Sequence, residues 1–505
     1  MKYEKPINFR PILFCALSLV LGIICYEFYP LIKGLTIILP TVFLSAIFLP
    51  LIFFGKKESR KSFAFTFAFC SLFSLVGVGL IANVIDKSIN SQVDNGRYTV
   101  VGEVEHCSYS NGSYYVRLTN CKYGGKEGGS LYVKGIGKEV GLYDILEVDC
   151  YAVKSKFDEN GRVSKDLLSN RDMITSAVYG VKVLGYKNSV ASKFKLITDE
   201  KFYEVGGSYG GTLSALIRGD TSEMRENVTL YRSVGIAHIF AVSGMHVGLL
   251  FVAVTFVLSK IRINRLIGAL IACLSLVFYS YLCGFTPSSL RATVMCSCLA
   301  LAKILGEKKD RVNSLAVAMI IVLTINPLDL FSIGFLLSFI VSFSLITIAP
   351  PIERNLPFKS DKIKDAVSVL LASQLSALPV SVYVFGSFSI VSLLANFIVL
   401  PIVTIIFYFT VIGVIICIIL PINAHIALFI PNILNVGTSV VVEFISKFPF
   451  AISFFSVGLM TVYYFLLLCF SDLVNLSKRV KITCLMGIFT IIILTFIITI
   501  IKTVG

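Results

Sequence analysis

The sequence predicts a polytopic α-helical membrane protein of about 13 spans, some of them candidates for re-entrant loops, with one small extracytoplasmic β domain inserted. Three observations carry the prediction. The 505-residue chain is 56% hydrophobic with a mean hydropathy of +0.84, which excludes an ordinary soluble enzyme. Apolar runs of about 20 residues, the length of a bilayer-crossing helix, recur through it. Between residues 83 and 205 those runs give way to short alternating segments separated by turn residues, the mark of strands.

Three spans open the chain, at about 11–29, 34–54 and 62–82. The first follows Lys2, Lys5 and Arg10 as a signal peptide would, but no small-residue cleavage site precedes Tyr26–Tyr29. It reads as an uncleaved anchor. Lys56, Lys57, Arg60 and Lys61 fill the loop before the third span. Short basic loops stay cytoplasmic. The N-terminus is therefore expected inside, residues 1–82 in the membrane and residues 83–205 outside.

Within 83–205, Tyr98–Glu105, Tyr114–Thr119, Ser130–Val133 and Ile145–Tyr151 read as strands. Turns part them at Ser110-Asn111-Gly112, Gly124-Gly125 and Asn160-Gly161. Such spacing predicts a small barrel, with an oligonucleotide/oligosaccharide-binding (OB-like) barrel as one candidate. The stretch holds 17 Lys and Arg against 16 Asp and Glu, so +14 of the net +15 lies elsewhere. Cytoplasmic loops account for most of that excess, and the basic balance alone is no sign of nucleic acid. Tyr98, Tyr109, Tyr114, Tyr115 and Tyr132 crowd this region among Lys and Arg. They either form stacking platforms for a single strand or simply favour β structure. Ten of the 13 cysteines lie in or beside apolar runs, and the outer domain holds Cys107, Cys121 and Cys150. An oxidising exterior permits one bridge, expected as Cys107–Cys150.

Residues 206–505 form a second membrane region. It opens with a short amphipathic interfacial helix, capped at Asp220 or Thr221, with Glu223 completing a capping box. Met224, Val228 and Tyr231 share its apolar face, and Gly235 ends it. Later spans fall near 236–259, 266–283, 288–306, 312–326, 330–349, 366–385, 387–420 (broken at Pro401), 424–446, 452–472 and 482–501. Every second loop is basic, around Lys260 to Arg265, Lys308 to Arg311, Arg354 to Lys364 and Lys478 to Lys481. The segments near 312–326 and 366–400 are the re-entrant candidates.

Polar groups inside these spans are the candidate site, because hydrocarbon tolerates them only where they face protein or water. The run Gly235–Gly248, GIAHIFAVSGMHVG, holds His238, Ser243 and His246, the two histidines eight residues apart on nearly one helix face. Ser with His suggests an intramembrane protease, but a general base must reach the nucleophile, and those proteases bring it from another helix. No other span carries a histidine except near His425. Two histidines without a third ligand make a poor metal site. Arg291, just after Pro287, either snorkels to the interface or walls a path for an anionic solute. Gln374, Pro379, Asn396 and Pro401 set polar groups and prolines in apolar segments, a pattern tolerated where backbone lines a cavity.

GIAHIFAVSGMHVG resembles the signature of the ComEC/Rec2 family, inner-membrane DNA-uptake channels of naturally competent bacteria. Leu216-Ile217-Arg218-Gly219-Asp220, Gly284-Phe285, Leu290-Arg291-Ala292, Asn326-Pro327, Gly334 to Phe339, Leu378-Pro379 and Asn396 with Pro401 fit that family in the same order. The resemblance spans about 206–405. It implies passage of single-stranded DNA across the bacterial cytoplasmic membrane during natural transformation, the OB-like domain receiving the strand outside. Arg218, Asp220, Arg225, Arg232, His238, Ser243, His246, Arg291, Gln374 and Asn396 are then candidates for the DNA path. His238, Ser243 and His246 are equally candidates for locking helices together by hydrogen bonds. The implied partners are single-stranded DNA, a DNA receptor outside, a separate nuclease, a cytoplasmic helicase-like motor or single-strand-binding proteins, and membrane lipids. Many family members carry a metallo-β-lactamase-like domain at the C-terminus. This sequence has no His-x-His-x-Asp-His run and no Gly-x-x-x-x-Gly-Lys-Ser/Thr loop, so no enzyme activity, cofactor or metal is expected of it. The reading from another class is a transporter or flippase for another anionic polymer or a lipid-linked saccharide.

Overall fold

A computed structural model describes residues 10–27, 40–42, 44–46, 57–110, 112–154, 173–221, 224, 227–240, 243–261, 263–307, 310–420, 423–448, 451–474 and 476–504.

The alternating stretch closes into a barrel. Its strands are β1 (Gly96–Ser110), β2 (Ser113–Tyr123), β3 (Lys126–Glu127), β4 (Leu131–Ile136), β5 (Asp144–Val153) and β6 (Met173–Tyr186). They lie in the order β1-β5-β6-β4-β2-β3, and β1 also pairs with β2, which completes the ring. Every pairing is antiparallel except β4 with β6. Alternation sends each second side chain inwards, and Val116, Leu118, Val133, Leu146 and Val148 are fully buried. β1 reaches both neighbours because it bends at two bulges, after Val101 and after Val104. Gly102 sits at the first bend, where a Cβ would stand 3.0 Å from Cys121 Sγ and 3.1 Å from Leu118 Cβ. The four expected strands are present, and β6 is an addition to them.

The expected Cys107–Cys150 bridge is not there, and neither cysteine is in a disulfide. Cys150 lies opposite Tyr98, while Cys107 lies nine residues further along β1. Nine residues of strand extend roughly 30 Å, and a disulfide needs Cα atoms within about 7 Å. Cys107 Sγ donates instead to the Val140 carbonyl.

Helices form the membrane-embedded remainder. Seven among the described residues are long and apolar enough to cross a bilayer. Counting Ile333–Thr347 and Ala349–Asn355, bent by 42°, as one span makes eight. Gly244–Lys260, Arg311–Ile325 and Val457–Phe470 are apolar but shorter, as is Pro11–Tyr26. The expected count of about 13 includes these shorter helices and the segment 34–54, most of which lies outside the described residues.

Neither internal proline breaks its helix. Ser392–Ile419 runs through Pro401, which corrects the expected break, and Asp361–Phe385 runs through Pro379. The strand Phe388–Ser389 between them pairs with Ala451–Ile452. A proline inside a helix frees the carbonyl four residues earlier, here that of Leu375. The Tyr463 hydroxyl donates to it at 2.9 Å, and the Tyr464 hydroxyl donates to the Ser376 carbonyl at 2.8 Å. Val457–Phe470 thus supplies from outside the bond that Pro379 removes, and a second one beside it. Tyr463→Phe keeps the buried ring and deletes the donor. We expect it to cost about 1–3 kcal/mol, seen as a lower unfolding midpoint of the detergent-purified protein.

Three short helices lead from barrel to bundle. Ser189 caps Val190–Gly206, accepting from the Ser192 N–H at 3.1 Å. The chain then turns into Gly210–Arg218 so tightly that a Cβ on Gly210 would stand 2.6 Å from the Phe202 carbonyl. Gly219, at φ +77°, stops this second helix. The amphipathic helix expected from Asp220 onwards is Asn227–Ser233, with Met224 and Tyr231 buried as its face predicts. Glu223, its expected capping-box partner, lies outside the described residues.

Candidate functional site

The signature run is not one helix. Ala237–Ile239 makes a single 3-10 turn, and the following helix starts only at Gly244. His238 and His246 therefore occupy different elements, which corrects the expectation that they share a helix face. Ser243 causes the separation. It is the N-cap, in extended backbone, and the His246 N–H donates to its carbonyl at 3.1 Å. The Ser243 N–H donates in turn to His246 Nδ1 at 3.4 Å. The ring is wholly buried and packs on Phe407, centroids 5.0 Å apart. A nitrogen already accepting from the N-cap backbone is a poor base for the hydroxyl of the same serine, whose Oγ stands 3.4 Å away. His238 is exposed on its turn.

Arg291 is placed by a sharp connection. Gly284 (φ +72°) and Phe285 (φ +50°) end Arg265–Leu282, then Thr286 caps Pro287–Leu305 with Pro287 in its first turn. Arg291 follows one turn later. It does not snorkel: the side chain is 9% exposed and turned among three helices. Its Nε donates to Ser338 Oγ at 2.8 Å, and Nη1 meets Met295 Sδ at 3.6 Å. Its Nη2 lies against Gly244, where a Cβ would collide with it. Among the described residues no carboxylate stands within ion-pair distance.

Arg218 and Asp220 have other work. Arg218 is 5% exposed and bonded to the side chains of Asp199, Thr198 and Ser214. Lys195 Nζ lies 3.2 Å from Asp199 and 3.8 Å from Asp220. Among the described residues Arg218, Lys195, Asp199 and Asp220 thus form a buried cluster of opposite charges that ties Val190–Gly206 to Gly210–Arg218. Arg232 is exposed on Asn227–Ser233, and Arg225 lies outside the described residues. Gln374 Oε1 accepts from Ser392 Oγ at 3.1 Å, and Asn396 Nδ2 donates to the Ser392 carbonyl at 2.7 Å. Gly235 abuts the same serine, since a Cβ there would stand 2.7 Å from Ser392 Cβ. The structure therefore gathers two groups, Ser243-Gly244 with Arg291 and Ser338, and Gly235 with Gln374, Ser392 and Asn396. Gly244, Ser338 and Ser392 were not singled out from sequence, although the first two lie inside recognised motifs.

On the barrel, Tyr114 belongs to the core at 6% exposure and offers no platform. Tyr109 packs on it at 4.9 Å, and Tyr98 meets Tyr123 edge-on at 5.7 Å. Tyr115 and Tyr132 are half-buried, with Arg117 opposite Tyr132 in the ladder. The exposed tyrosines of the barrel are Tyr151, Tyr179 and Tyr186, none of them among the five stacking candidates. Arg97 stacks over Tyr179 at 4.4 Å and pairs with Asp149 at 2.6 Å, a bond that holds the Asp149 carboxyl below its ordinary range.

A family model described as Competence protein matches residues 216–478, which contain both polar groups. The chain belongs to that family. It is 26% identical over 378 residues to ComE operon protein 3 of Bacillus subtilis (strain 168), covering 72% of this chain and 47% of that protein. It is also 31% identical over 124 residues to an uncharacterized protein MG316 homolog of Mycoplasma pneumoniae (strain ATCC 29342 / M129 / Subtype 1), covering 24% of this chain and 31% of that one. The chain thus spans about half the length of the first relative and less of the second. No solved structure matches.

Proposed function

We propose that this protein acts in DNA uptake for natural transformation, conducting one strand through the bacterial cytoplasmic membrane. The competence-family match over 216–478 carries the reading, because the matched region is where a buried arginine sits inside the bundle without an acid. Phosphates crossing hydrocarbon need cationic compensation, and Arg291 is suited to give it. The single 3-10 turn at Ala237–Ile239 and the extended Ser243 fit a lined path, since irregular backbone at membrane depth belongs beside a cavity. Gln374, Asn396, His238 and Arg232 are the further path candidates. Arg218 and Asp220 we assign to the scaffold, and Ser243 with His246 to locking the helix start.

The barrel is the proposed receiver. Five main strands closed by the β1–β2 pairing, with β4 and β6 parallel, support an OB-type barrel. Tyr115 and Tyr132, together with the outward Tyr151 and Tyr179, offer stacking faces. Arg10 pairs with Asp310 at 3.3 Å, next to Arg311, and this grouping of basic residues at one side supports a cytoplasmic N-terminus with the barrel outside. The receptor, nuclease and motor are assigned to other chains.

The test is uptake of end-labelled duplex DNA by cells lacking this protein. We expect DNA to stay bound outside and unprotected, wild type to restore entry, and Arg291→Ala to restore at most about a tenth of it, a loss of roughly 1.4 kcal/mol or more. Unchanged entry in the deletion strain would overturn the proposal in favour of transport of another anionic polymer.

A further inference from the structure

Two sources of positive charge meet without an anion at the start of Gly244–Lys260. One is Arg291, nine-tenths buried, whose Nη2 has no hydrogen-bond acceptor among the described residues. The other is the helix itself, 17 residues long. Its first N–H groups precede any intrahelical acceptor, and its dipole adds roughly half a positive charge at that end. Among the described residues neither the Gly244 nor the Met245 N–H has an acceptor. A guanidinium belongs at the other end of a helix, and an uncompensated buried charge is strongly unfavourable. Yet Nη2 lies where a Cβ on Gly244 would stand, and the Ser338 hydroxyl accepts from Nε of the same fork at 2.8 Å.

We propose that Arg291 and the Gly244–Met245 N–H groups form a seat for one phosphate-type oxyanion, filled in turn by phosphodiesters of the passing strand. The choice of a strand phosphodiester rests on the proposed function, while the seat itself does not. A guanidinium nitrogen beside the first residue of a helix whose leading N–H groups lack acceptors suits an acceptor-only tetrahedral oxyanion. One buried cation suits a single negative charge, which is what each phosphodiester carries. Met295, the Gly244 surface and the apolar helices around them leave a hydrated cation nothing to bind.

The experiment uses the full chain purified in a phosphate-free maltoside detergent. Its unfolding midpoint is followed against inorganic phosphate and against a short single-stranded oligonucleotide, each compared with chloride at matched ionic strength. We expect a saturable rise of about 2–3 °C at a hundredfold excess over the dissociation constant for both ligands. Arg291→Met keeps the volume without the charge and should abolish the rise. Gly244→Ala should abolish it too, by putting a methyl group where Nη2 lies, and it keeps the assay informative should Arg291→Met fail to fold. No rise beyond chloride, or an equal rise in Gly244→Ala, would sink the seat. A rise with phosphate alone would overturn the phosphodiester assignment and give the seat to a free anion or lipid headgroup. Normal DNA entry in the deletion strain would remove the strand-passage reading and leave a phosphate response standing.

Discussion

Arg218→Met is expected to lower the stability of the folded protein by about 3–5 kcal/mol, the largest loss among the substitutions considered. The residue looks like a phosphate contact from sequence, one arginine in a polar run at the edge of the bundle. In the fold it is 5% exposed and bonded to Asp199, with Lys195 shared between Asp199 and Asp220. Removing it takes the arginine from the buried Asp199 carboxylate, and the cost comes from that uncompensated charge more than from the lost bonds. Denaturant or thermal unfolding in detergent measures it. Arg232→Met, on an exposed site, should stay within about 0.5 kcal/mol of wild type. The double variant Arg218→Met with Asp199→Leu removes both partners of the pair and should recover part of the loss. Equal, small effects of Arg218→Met and Arg232→Met would return Arg218 to the list of groups available to DNA.

Gly22→Val should separate the two N-terminal helices. Pro11–Glu27 and Lys57–Asn90 cross so closely that a Cβ on Gly22 would collide with the Ser74 carbonyl, and one on Gly77 would stand 2.5 Å from the Leu19 carbonyl. In lipid no hydrophobic force draws helices together, so association depends on small residues that let backbones touch. Overpacking commonly costs about 1–3 kcal/mol, and backbone on the far side leaves no side chain to yield. Cys15 and Cys70, both buried where these helices meet, provide the readout. They should become reactive towards a membrane-permeant maleimide in Gly22→Val. Gly79→Val is the control, because nothing lies within 4 Å of a Cβ there. Continued protection of both thiols in Gly22→Val would show that the crossing is looser than described.

Much of this architecture was legible in the sequence because it is written in periodicity. The strands between Gly96 and Val153 alternate cleanly, and the apolar runs are long. β6 was missed because Gly180 and Gly185 dilute the alternation of Val178, Val181 and Val183. The helix start at Gly244 was missed for a different reason: a hydropathy reading passes straight through an N-cap, although Ser243 with His246 three residues later has the spacing of one. What sequence cannot show is pairing at a distance. Asp199 lies 19 residues from Arg218, and Ser338 lies 47 from Arg291, with no spacing rule to join either pair. The expectation for Pro379 pointed towards a cavity, whereas the carbonyl it frees is met by a tyrosine of another helix.

That repair has a consequence in time. Leu375 and Tyr463 are 88 residues apart. A ribosome adding roughly 5–20 residues per second makes the carbonyl about 4–18 s before it makes the hydroxyl. An unpaired carbonyl in hydrocarbon costs several kcal/mol. Until the later helix arrives, the segment around Pro379 must keep company with water or with the insertion machinery, so this part of the bundle is assembled late and as a pair.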